Sequence, residues 1–171
     1  ASFSGAVTGT IDELVRWGAT SAVPPSTSFA TFDTRNDFTV LDFGDQTVPS
    51  RSIFIDVMPR DYDNGATTVY IHFSATSATT GAVVWDVQFD RVGSGSLDID
   101  TSSWATAQTA TCGIAAVSGK VSICSIAFTN AQMDSIGKNE LFRVRLTRDT
   151  TDANDTMAST DAEVHFLTIE Q

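Results

Sequence analysis

The side chains that could take part in acid–base or nucleophilic chemistry begin with two histidines, His72 and His165. His72 lies in an alternating run on the face opposite Val69 and Phe73, and His165 precedes Phe166 in the last such run. No Gly-x-Ser-x-Gly, His-x-His or His-Glu-x-x-His motif accompanies either of them. A single strand histidine is typically a surface or hydrogen-bonded residue, so we expect no catalytic residue here.

Two carboxylates, Asp86 and Asp90, share one face of an alternating run. Glycosidic hydrolysis needs two acids held across a cleft, so this pair is the nearest approach to a hydrolase site. Arg143 and Arg145 in a later run offer simple cross-strand partners for these acids. Structural charge pairing is therefore the favoured interpretation, and hydrolysis ranks last among the possible functions.

Oxygen-rich stretches raise the question of metal binding. The loop from Asp149 to Asp155 resembles calcium loops in composition, but its acids do not alternate as in Asp-x-Asp-x-Asp-Gly. Asp98 and Asp100 are a weaker candidate still. We expect neither a metal ion nor a cofactor.

The two cysteines, Cys112 and Cys124, lie 12 positions apart across a turn around Gly119. They could face each other and form a disulfide, but two buried thiols are the favoured interpretation. A zinc site is excluded because two ligands do not fill a tetrahedral shell.

The elements that position these side chains have a period of two. The longest such stretch, Thr67 to Val92, has two alternating runs around a turn that contains Gly81, and it predicts a long β-hairpin. Its apolar face is predicted to carry Val69, Ile71, Phe73, Val83, Trp85, Val87 and Phe89. Further strands are predicted at 29–32, 38–43, 53–57, 97–99, 109–114, 121–128, 140–148 and 162–169, the last with a bulge.

A chain of 171 residues with this pattern predicts one all-β domain, an antiparallel two-sheet sandwich of the jelly-roll type. Residues 29–171 would form the sandwich, and residues 1–28 a short N-terminal arm. A capping box at Thr10–Glu13 predicts a small helix through Trp17, with Leu14 and Trp17 on one face. The stiff Pro24–Pro25 pair would direct this arm onto its own sandwich or toward a neighbour.

The charge balance, 10 Lys and Arg against 21 Asp and Glu, gives a net charge of −11. This surplus argues against nucleic acid or an anionic membrane as a partner. No apolar run approaches the about 20 residues of a spanning helix, so no membrane segment is expected. No signal peptide is visible, and the start at Ala1 fits loss of an initiator Met or trimming.

Contact residues are predicted from apolar side chains that the core does not need. Trp17, Tyr62 and Trp104 fall outside the long strands, and the run Val121 to Phe128 is apolar on both faces, as in an interior strand or an oligomer contact. The full set of predicted contact residues is Leu14, Trp17, Pro24, Pro25, Tyr62, Trp104, Val121, Ile123, Ile126 and Phe128.

Two stretches, TVYIHFSATSATTGAVVWDVQFDRV at 68–92 and MDSIGKNELFRVRLTRD at 133–149, resemble small β-sandwich virion proteins of tailed bacteriophages. The resemblance covers roughly Ser28 to Glu170 and is closest to the capsid cement, or decoration, proteins. It implies a non-enzymatic homotrimer on the outer surface of the phage head, made in the host cytoplasm, that clamps neighbouring major capsid subunits. It implies no small-molecule substrate, and the arm would make contacts outside its own sandwich.

The alternative is a carbohydrate-binding or receptor-binding jelly-roll module of a tail fibre or baseplate. Such a module needs an exposed aromatic platform beside polar groups. Tyr62, Trp104 and Asp61 are the residues that could supply it.

Overall fold

The computed structural model describes residues 13–45, 47–93, 95, 97–157 and 160–171. In this part of the chain, ten strands account for nearly all regular structure, with two short 3-10 helices at Ala19–Ser21 and Asn130–Met133. The strands are β1 (Glu13–Gly18), β2 (Thr31–Arg35), β3 (Phe38–Phe43), β4 (Ser50–Val57), β5 (Thr67–Ala75), β6 (Ala82–Arg91), β7 (Gln108–Gly113), β8 (Ser122–Phe128), β9 (Leu141–Arg148) and β10 (Ala162–Glu170).

The strands form two antiparallel sheets packed face to face. The six-stranded sheet has the order β2-β3-β10-β5-β8, with β1 also paired to β10, and the four-stranded sheet has the order β4-β9-β6-β7. Strands β3 to β10 are thus distributed between the sheets as in a jelly roll. The predicted fold class, an antiparallel jelly-roll sandwich, is confirmed.

Aromatic rings fill the space between the sheets. Trp85 on β6 is fully buried, and its ring meets Phe43 and Phe73 edge-on at centroid distances of 5.1 and 5.5 Å. The predicted inward side chains on β5, β6 and β9 all lie in this core. Their alternation with polar residues is therefore what turns the polar side chains of β6 and β9 toward the outer surface.

The predicted hairpin at Thr67–Val92 is wrong in its pairing. Strand β5 pairs with β8 and β10 in one sheet, whereas β6 pairs with β7 and β9 in the other. The chain between them crosses from sheet to sheet around Gly81. Alternation of apolar residues fixes which face of a strand is buried, but both sheets bury that face in the same core, so it cannot specify the partner.

The predicted N-terminal helix is also wrong. Residues Glu13–Gly18 form strand β1, which adds to β10, and Leu14 and Trp17 are buried in the chain's own core. Trp17 packs against Phe54 and Phe142. A helix this short is unstable alone, whereas a strand gains backbone hydrogen bonds from β10. Residues 10–12 of the predicted capping box lie outside the described part of the chain.

Several smaller predictions can be checked in the same way. The Asn36–Asp37 turn between β2 and β3 has the positive φ values expected of a tight hairpin, and a register shift in β10 confirms the predicted bulge. Residues 97–99 form no strand; residues 99–101 are a turn. The 3-10 helix at Asn130–Met133 is capped by Thr129, in a capping box with Gln132.

Cys112 on β7 and Cys124 on β8 form a disulfide, so the prediction of two free thiols is wrong. Each cysteine lies on the outermost strand of its sheet, and the bond therefore links the two sheets along one edge of the sandwich. In the described residues, no helix is long and apolar enough to cross a membrane.

Candidate binding groove on the four-stranded sheet

The outer face of the four-stranded sheet carries three cross-strand rows of side chains from β6, β9 and β4. Strand pairing aligns Asp90 with Arg143 and Ile55, Gln88 with Arg145 and Ile53, and Asp86 with Thr147 and Arg51. Side chains in one row, and diagonal neighbours in adjacent rows, are close enough to interact. In two of the rows, an arginine of β9 therefore lies between a polar side chain of β6 and an isoleucine of β4.

The first row is held by an ion pair. Arg143 Nε donates to Asp90 Oδ2 at 2.6 Å, and the Asp90 side chain is almost completely buried. Ser102 Oγ accepts from Arg143 Nη2 at 3.0 Å and lies 3.1 Å from the same carboxylate oxygen. The predicted pairing of the strand carboxylates with these arginines is confirmed for Asp90.

The other two rows depart from that prediction. In the second row, Arg145 donates through both Nε and Nη2 to Gln88 Oε1 and has no carboxylate partner among the described residues. In the third, Asp86 Oδ1 accepts from Thr109 Oγ1 at 2.5 Å. The alternating positions of Asp86, Asp90, Arg143 and Arg145 correctly predicted that these side chains share the outer face of the sheet. They did not predict that Arg145 bonds the neutral amide of Gln88 in place of a carboxylate.

Trp104 lies over the two arginines. The guanidinium carbons of Arg143 and Arg145 are 4.8 and 4.6 Å from the centre of its ring. The next residue, Ala105, fixes this position: its N–H donates to Phe89 O at 2.8 Å, and its carbonyl accepts from Gln88 Nε2 at 2.9 Å. The indole N–H has no acceptor within the described ranges, so it is free to donate to a ligand.

The opposite wall of the groove comes from the segment before β2. Val23 exchanges both backbone hydrogen bonds with Ile53 on β4, at 2.7 and 3.1 Å, and Ala30 N donates to Arg51 O. These bonds hold Pro24 and Pro25 beside the sheet. The predicted stiff spacer is thus a fixed wall, because its backbone is attached at both ends to β4.

Together these parts enclose a depression of about 420 Å³, which we call the Trp104 groove. It is lined by Val23, Pro24, Pro25, Ser26, Thr27, Arg51, Ile53, Ile55, Trp104, Arg143 and Arg145. None of the acidic residues in the described ranges lines it. A ring of apolar surface with a few convergent polar groups is the usual composition of a small-molecule site.

The groove continues beyond this depression. A second hollow of about 230 Å³ shares Arg51 and Arg145 with it and adds Asp86, Gln88 and Asp149. Another hollow of similar volume lies past the Asp90–Arg143 pair, beside Asp98 and Asp134. The first two hollows share two arginines on the outer face of the sheet, so an extended ligand could occupy them together.

Burial and like charges shape the electrostatics of this face. The pKa of Arg145 is lowered, first by burial and then by the positive charges of Arg51 and Arg143. The pKa of Asp86 is raised, first by burial and further by the charges of Asp149 and Asp152, although the bond from Thr109 opposes the shift. Like charges therefore cluster at two places: positive charges around Arg145 at the centre of the groove, and negative charges around Asp86 at one end.

His165 belongs to a different cluster, on the six-stranded sheet. The buried Ser74 hydroxyl donates to Glu163 Oε2 at 2.8 Å and lies 2.9 Å from His165 Nε2. Arg35 Nη1 donates to the same Glu163 oxygen at 2.6 Å. In a serine hydrolase the acid binds the far nitrogen of the histidine and the serine is exposed. Here the acid bonds the serine itself, so the geometry is that of a structural network.

Burial lowers the pKa of His165, although the nearby Glu163 carboxylate opposes the shift.

The outer face of the six-stranded sheet carries several exposed apolar side chains. Phe38, Val121, Ile123 and Phe166 are each between 45 and 64% exposed. Strand β8 is an edge strand, so of the two predicted alternatives the interior strand is wrong, and the oligomer contact stays a prediction. Ile126 and Phe128 point into the core, and Val121 and Ile123 toward solvent. Sequence alone could not separate these pairs, because both faces of the run are apolar.

Of the ten predicted contact residues, the structure leaves only some at the surface. Pro24, Pro25 and Trp104 line the groove, and Val121 and Ile123 lie on the apolar face. Leu14, Trp17, Tyr62, Ile126 and Phe128 are buried and cannot contact a partner. Tyr62 is enclosed because its hydroxyl donates to Gly65 O at 2.9 Å and accepts from Asn130. The proposed Tyr62–Trp104 platform therefore does not form.

Arg51, Gln88, Ile53 and Ile55 were not among the predicted contact residues. The signal that could have found them is their parity, because each points away from the inward residues of its own strand. Gln88, Ile53 and Ile55 share rows with the recognised arginines, and Arg51 lies in the adjacent row.

The acidic loop after β9 is organised by protein groups. Asp149 and Asp152 accept hydrogen bonds from Thr151 and Asn154 within the loop. Asp155 accepts two from Arg148, which is fully buried and also donates to the carbonyls of Phe43, Met157 and Thr160. No group of three metal-binding side chains occurs in the described residues.

The groove and fold can be compared with known proteins. No family model and no curated protein sequence matches this chain. Among solved structures, it is similar to the CBM22-1 xylan-binding domain of Paenibacillus barcinonensis Xyn10C, at 10% identity and a TM-score of 0.41, covering 96% of this chain and 97% of that one.

Two other solved structures give similar values. A CBM4 module is 13% identical with a TM-score of 0.43, covering 98% of this chain and 93% of that chain. A non-crystalline-cellulose-specific carbohydrate-binding module, CBM28, is 9% identical with a TM-score of 0.45, covering 88% and 85%. These similarities lie in the sandwich fold.

Proposed function

We propose that this chain is a non-enzymatic carbohydrate-binding module whose ligand site is the Trp104 groove. The observation that carries the proposal is the half-buried Trp104 ring over Arg143 and Arg145, on the outer face of the sheet. A sugar ring has an apolar C–H face that packs on an indole, and hydroxyls at its edge that need both donors and acceptors. The groove supplies both kinds of group beside the ring.

The polar groups stand at fixed positions. Arginine side chains donate from the floor, while the carboxylate of Asp86 accepts at one end. Arg143, Arg145 and Asp86 are each held by a neighbour across the sheet, through Asp90, Gln88 and Thr109 respectively. A preformed site loses little conformational entropy on binding, which suits recognition of a flexible saccharide chain.

The proposal is tested by binding of the purified chain to an array of neutral and acidic oligosaccharides, followed by titration calorimetry with the ligands found. Trp104→Ala should lose at least ten-fold in affinity. The matched control is Phe38→Ala, which removes an exposed aromatic ring from the opposite sheet. Absence of any binding, or equal affinity of Trp104→Ala and the wild type, would refute the proposal.

A second candidate function has its own observation. Phe38, Val121, Ile123 and Phe166 are exposed apolar side chains on the six-stranded sheet, and a contiguous apolar patch can mark a protein–protein contact. This observation supports a structural role in a virion, as a homotrimeric cement protein on major capsid subunits. Light scattering of the wild type and of Ile123→Ser tests this role: a trimer that the substitution dissociates would favour it, and a monomeric wild type would count against it.

A further inference from the structure

The Trp104 groove contains more positive charge than its own carboxylates neutralise. Three arginines line it, and only Arg143 has a carboxylate partner, Asp90, among the residues that the structure describes. Arg145 bonds the neutral amide of Gln88, and Arg51 has no side-chain hydrogen bond or ion pair with the described residues. Within that part of the chain, two guanidinium charges on the floor therefore lack counterions.

This arrangement is unusual for the chain as a whole. Its net charge is −11, and exposed carboxylates elsewhere are abundant. An arginine that served only solubility or packing could pair with one of them. Instead Arg51 lies one row from Arg145 on the adjacent strand, with Ile53 between it and Ile55 along β4. Like charges held this close repel each other unless an anion lies between them.

We propose that the Trp104 groove binds a saccharide carrying an isolated carboxylate, a uronic acid unit within an otherwise neutral chain. This inference rests on the proposed carbohydrate-binding function. The guanidinium fork matches a carboxylate with two parallel N–H···O bonds, and it is stronger toward an anion than toward a hydroxyl. Arg51 and Arg145 provide such donors beside the Trp104 ring.

One end of the groove limits the charge that a ligand can carry. Beyond Arg51 and Arg145 the groove meets Asp86 and Asp149. A polymer with a carboxylate on every sugar would bring one of its charges against these acids. The groove therefore favours a charged unit beside Arg51 and Arg145 with a neutral unit at the Asp86 end.

The lowered pKa of Arg145 agrees with this electrostatic picture, since burial and the two neighbouring arginines disfavour its charge in the free protein. A bound carboxylate would reverse the effect of those neighbours.

The experiment measures affinities by titration calorimetry for matched oligosaccharides of equal length. The probes are neutral xylo-, gluco- and manno-oligosaccharides, glucuronosyl-xylo-oligosaccharides with one acid, their methyl esters, oligogalacturonates and a sulfated oligosaccharide. We expect the single-acid probe to bind at least ten-fold more tightly than its neutral parent and its methyl ester, and more tightly than the oligogalacturonate.

Two variants identify the residue responsible. Arg51→Gln should lower affinity for the single-acid probe about ten-fold more than it lowers affinity for the neutral parent, because the loss of one charged hydrogen bond is of this order. The control Arg60→Gln removes the same charge from an exposed loop position and should change neither affinity. Thermal melts establish that both variants are folded.

The outcomes separate this inference from the proposed function. Binding to neutral and single-acid probes with equal affinity would overturn the uronate inference and leave carbohydrate binding intact. Tighter binding of the oligogalacturonate or the sulfated probe would overturn the isolated-carboxylate specificity. Binding to none of the probes would overturn both.

Discussion

The Arg145 guanidinium lies 4.6 Å from the centre of the Trp104 ring and is held from β6 by the side-chain oxygen of Gln88. Gln88 in turn donates to the carbonyl of Ala105, the residue after Trp104. One amide thus positions both the arginine and the loop that carries the tryptophan. The Trp104 ring and the Arg145 guanidinium are therefore held together as one unit in the groove.

The first prediction concerns this pair. Arg145→Lys keeps the charge but removes the planar fork that stacks on an indole and bonds a ligand at two points. We expect saccharide affinity to fall about ten-fold, with the midpoint of thermal unfolding changed by only a few degrees. Titration calorimetry and a thermal melt measure the two effects. Arg60→Lys is the control, and an unchanged affinity in Arg145→Lys would show that the fork is not used.

The second prediction concerns the buried ion pair between Arg148 and Asp155. Both side chains are almost wholly buried, and Arg148 also donates to the carbonyls of Phe43 at the end of β3 and of Met157 and Thr160 before β10. Arg148→Met leaves Asp155 charged and unpaired, so the free energy of unfolding should fall by about 3–5 kcal/mol. Urea denaturation measures it.

A double variant serves as the control for that loss. Adding Asp155→Leu to Arg148→Met removes the unpaired charge and should restore part of the stability. A double variant no more stable than the single one would show that the loss comes from the carbonyl contacts and not from the orphaned carboxylate.

The third prediction concerns the disulfide between Cys112 and Cys124. It closes a loop across the edge of the two sheets with a sequence separation of 12. Its reduction should lower the free energy of unfolding by about 2–3 kcal/mol, since a loop of about 15 residues is assigned about 3 kcal/mol by chain entropy. Thermal melts with and without reductant measure the loss. The double Cys→Ser variant should be insensitive to reductant, and two titratable thiols in the native oxidised protein would contradict the bond.

The fourth prediction concerns the pH dependence of stability at Asp42. Burial, and then the nearby charges of Asp161, Asp33 and Glu163, raise the pKa of Asp42 from 3.8 to about 6. A raised pKa means that folding favours the protonated acid, so its stabilising contribution is complete below pH 3.8 and is lost as the pH rises through about 6.

Asp42→Asn should therefore be more stable than the wild type above about pH 7, by on the order of 2 kcal/mol, because one pKa unit is worth about 1.4 kcal/mol. The difference should shrink toward pH 4. Denaturation curves across this range test it, with Asp61→Asn as the control, because Asp61 is exposed and does not act on the pKa of Asp42. A constant difference at every pH would mean that titration of Asp42 is not its cause.

The sequence predicted the buried faces of the strands well, because successive side chains of a strand alternate between the core and the outer surface. Phe142, Val144 and Leu146 were placed inside and Arg143 and Arg145 outside, as observed. Strand partners could not be obtained in this way. In this sandwich, β5 and β6 belong to opposite sheets, and each buries its apolar face in the shared core. Two strands paired in a hairpin would show the same alternation of apolar and polar residues.

The candidate site was predicted only in parts for a related reason. Trp104 was recognised because it stood outside the strands, but so did Trp17 and Tyr62, which tertiary contacts bury. The wall at Pro24 depends on backbone bonds between Val23 and Ile53, residues 30 positions apart in sequence. No local sequence pattern encodes such a contact. Arg51 lies beside Arg145 in the groove because β4 pairs with β9, and that pairing too cannot be deduced from a local pattern.

The most direct test of the central claim is a two-dimensional nuclear magnetic resonance titration with the best-binding oligosaccharide. Our account predicts saturable shifts of the Trp104 indole N–H and of the Arg51, Arg143 and Arg145 Nε–H signals, with signals from Phe38 and Ile123 on the other sheet unchanged. Shifts confined to the apolar face, or no saturable shift of the Trp104 signal with any saccharide, would contradict it.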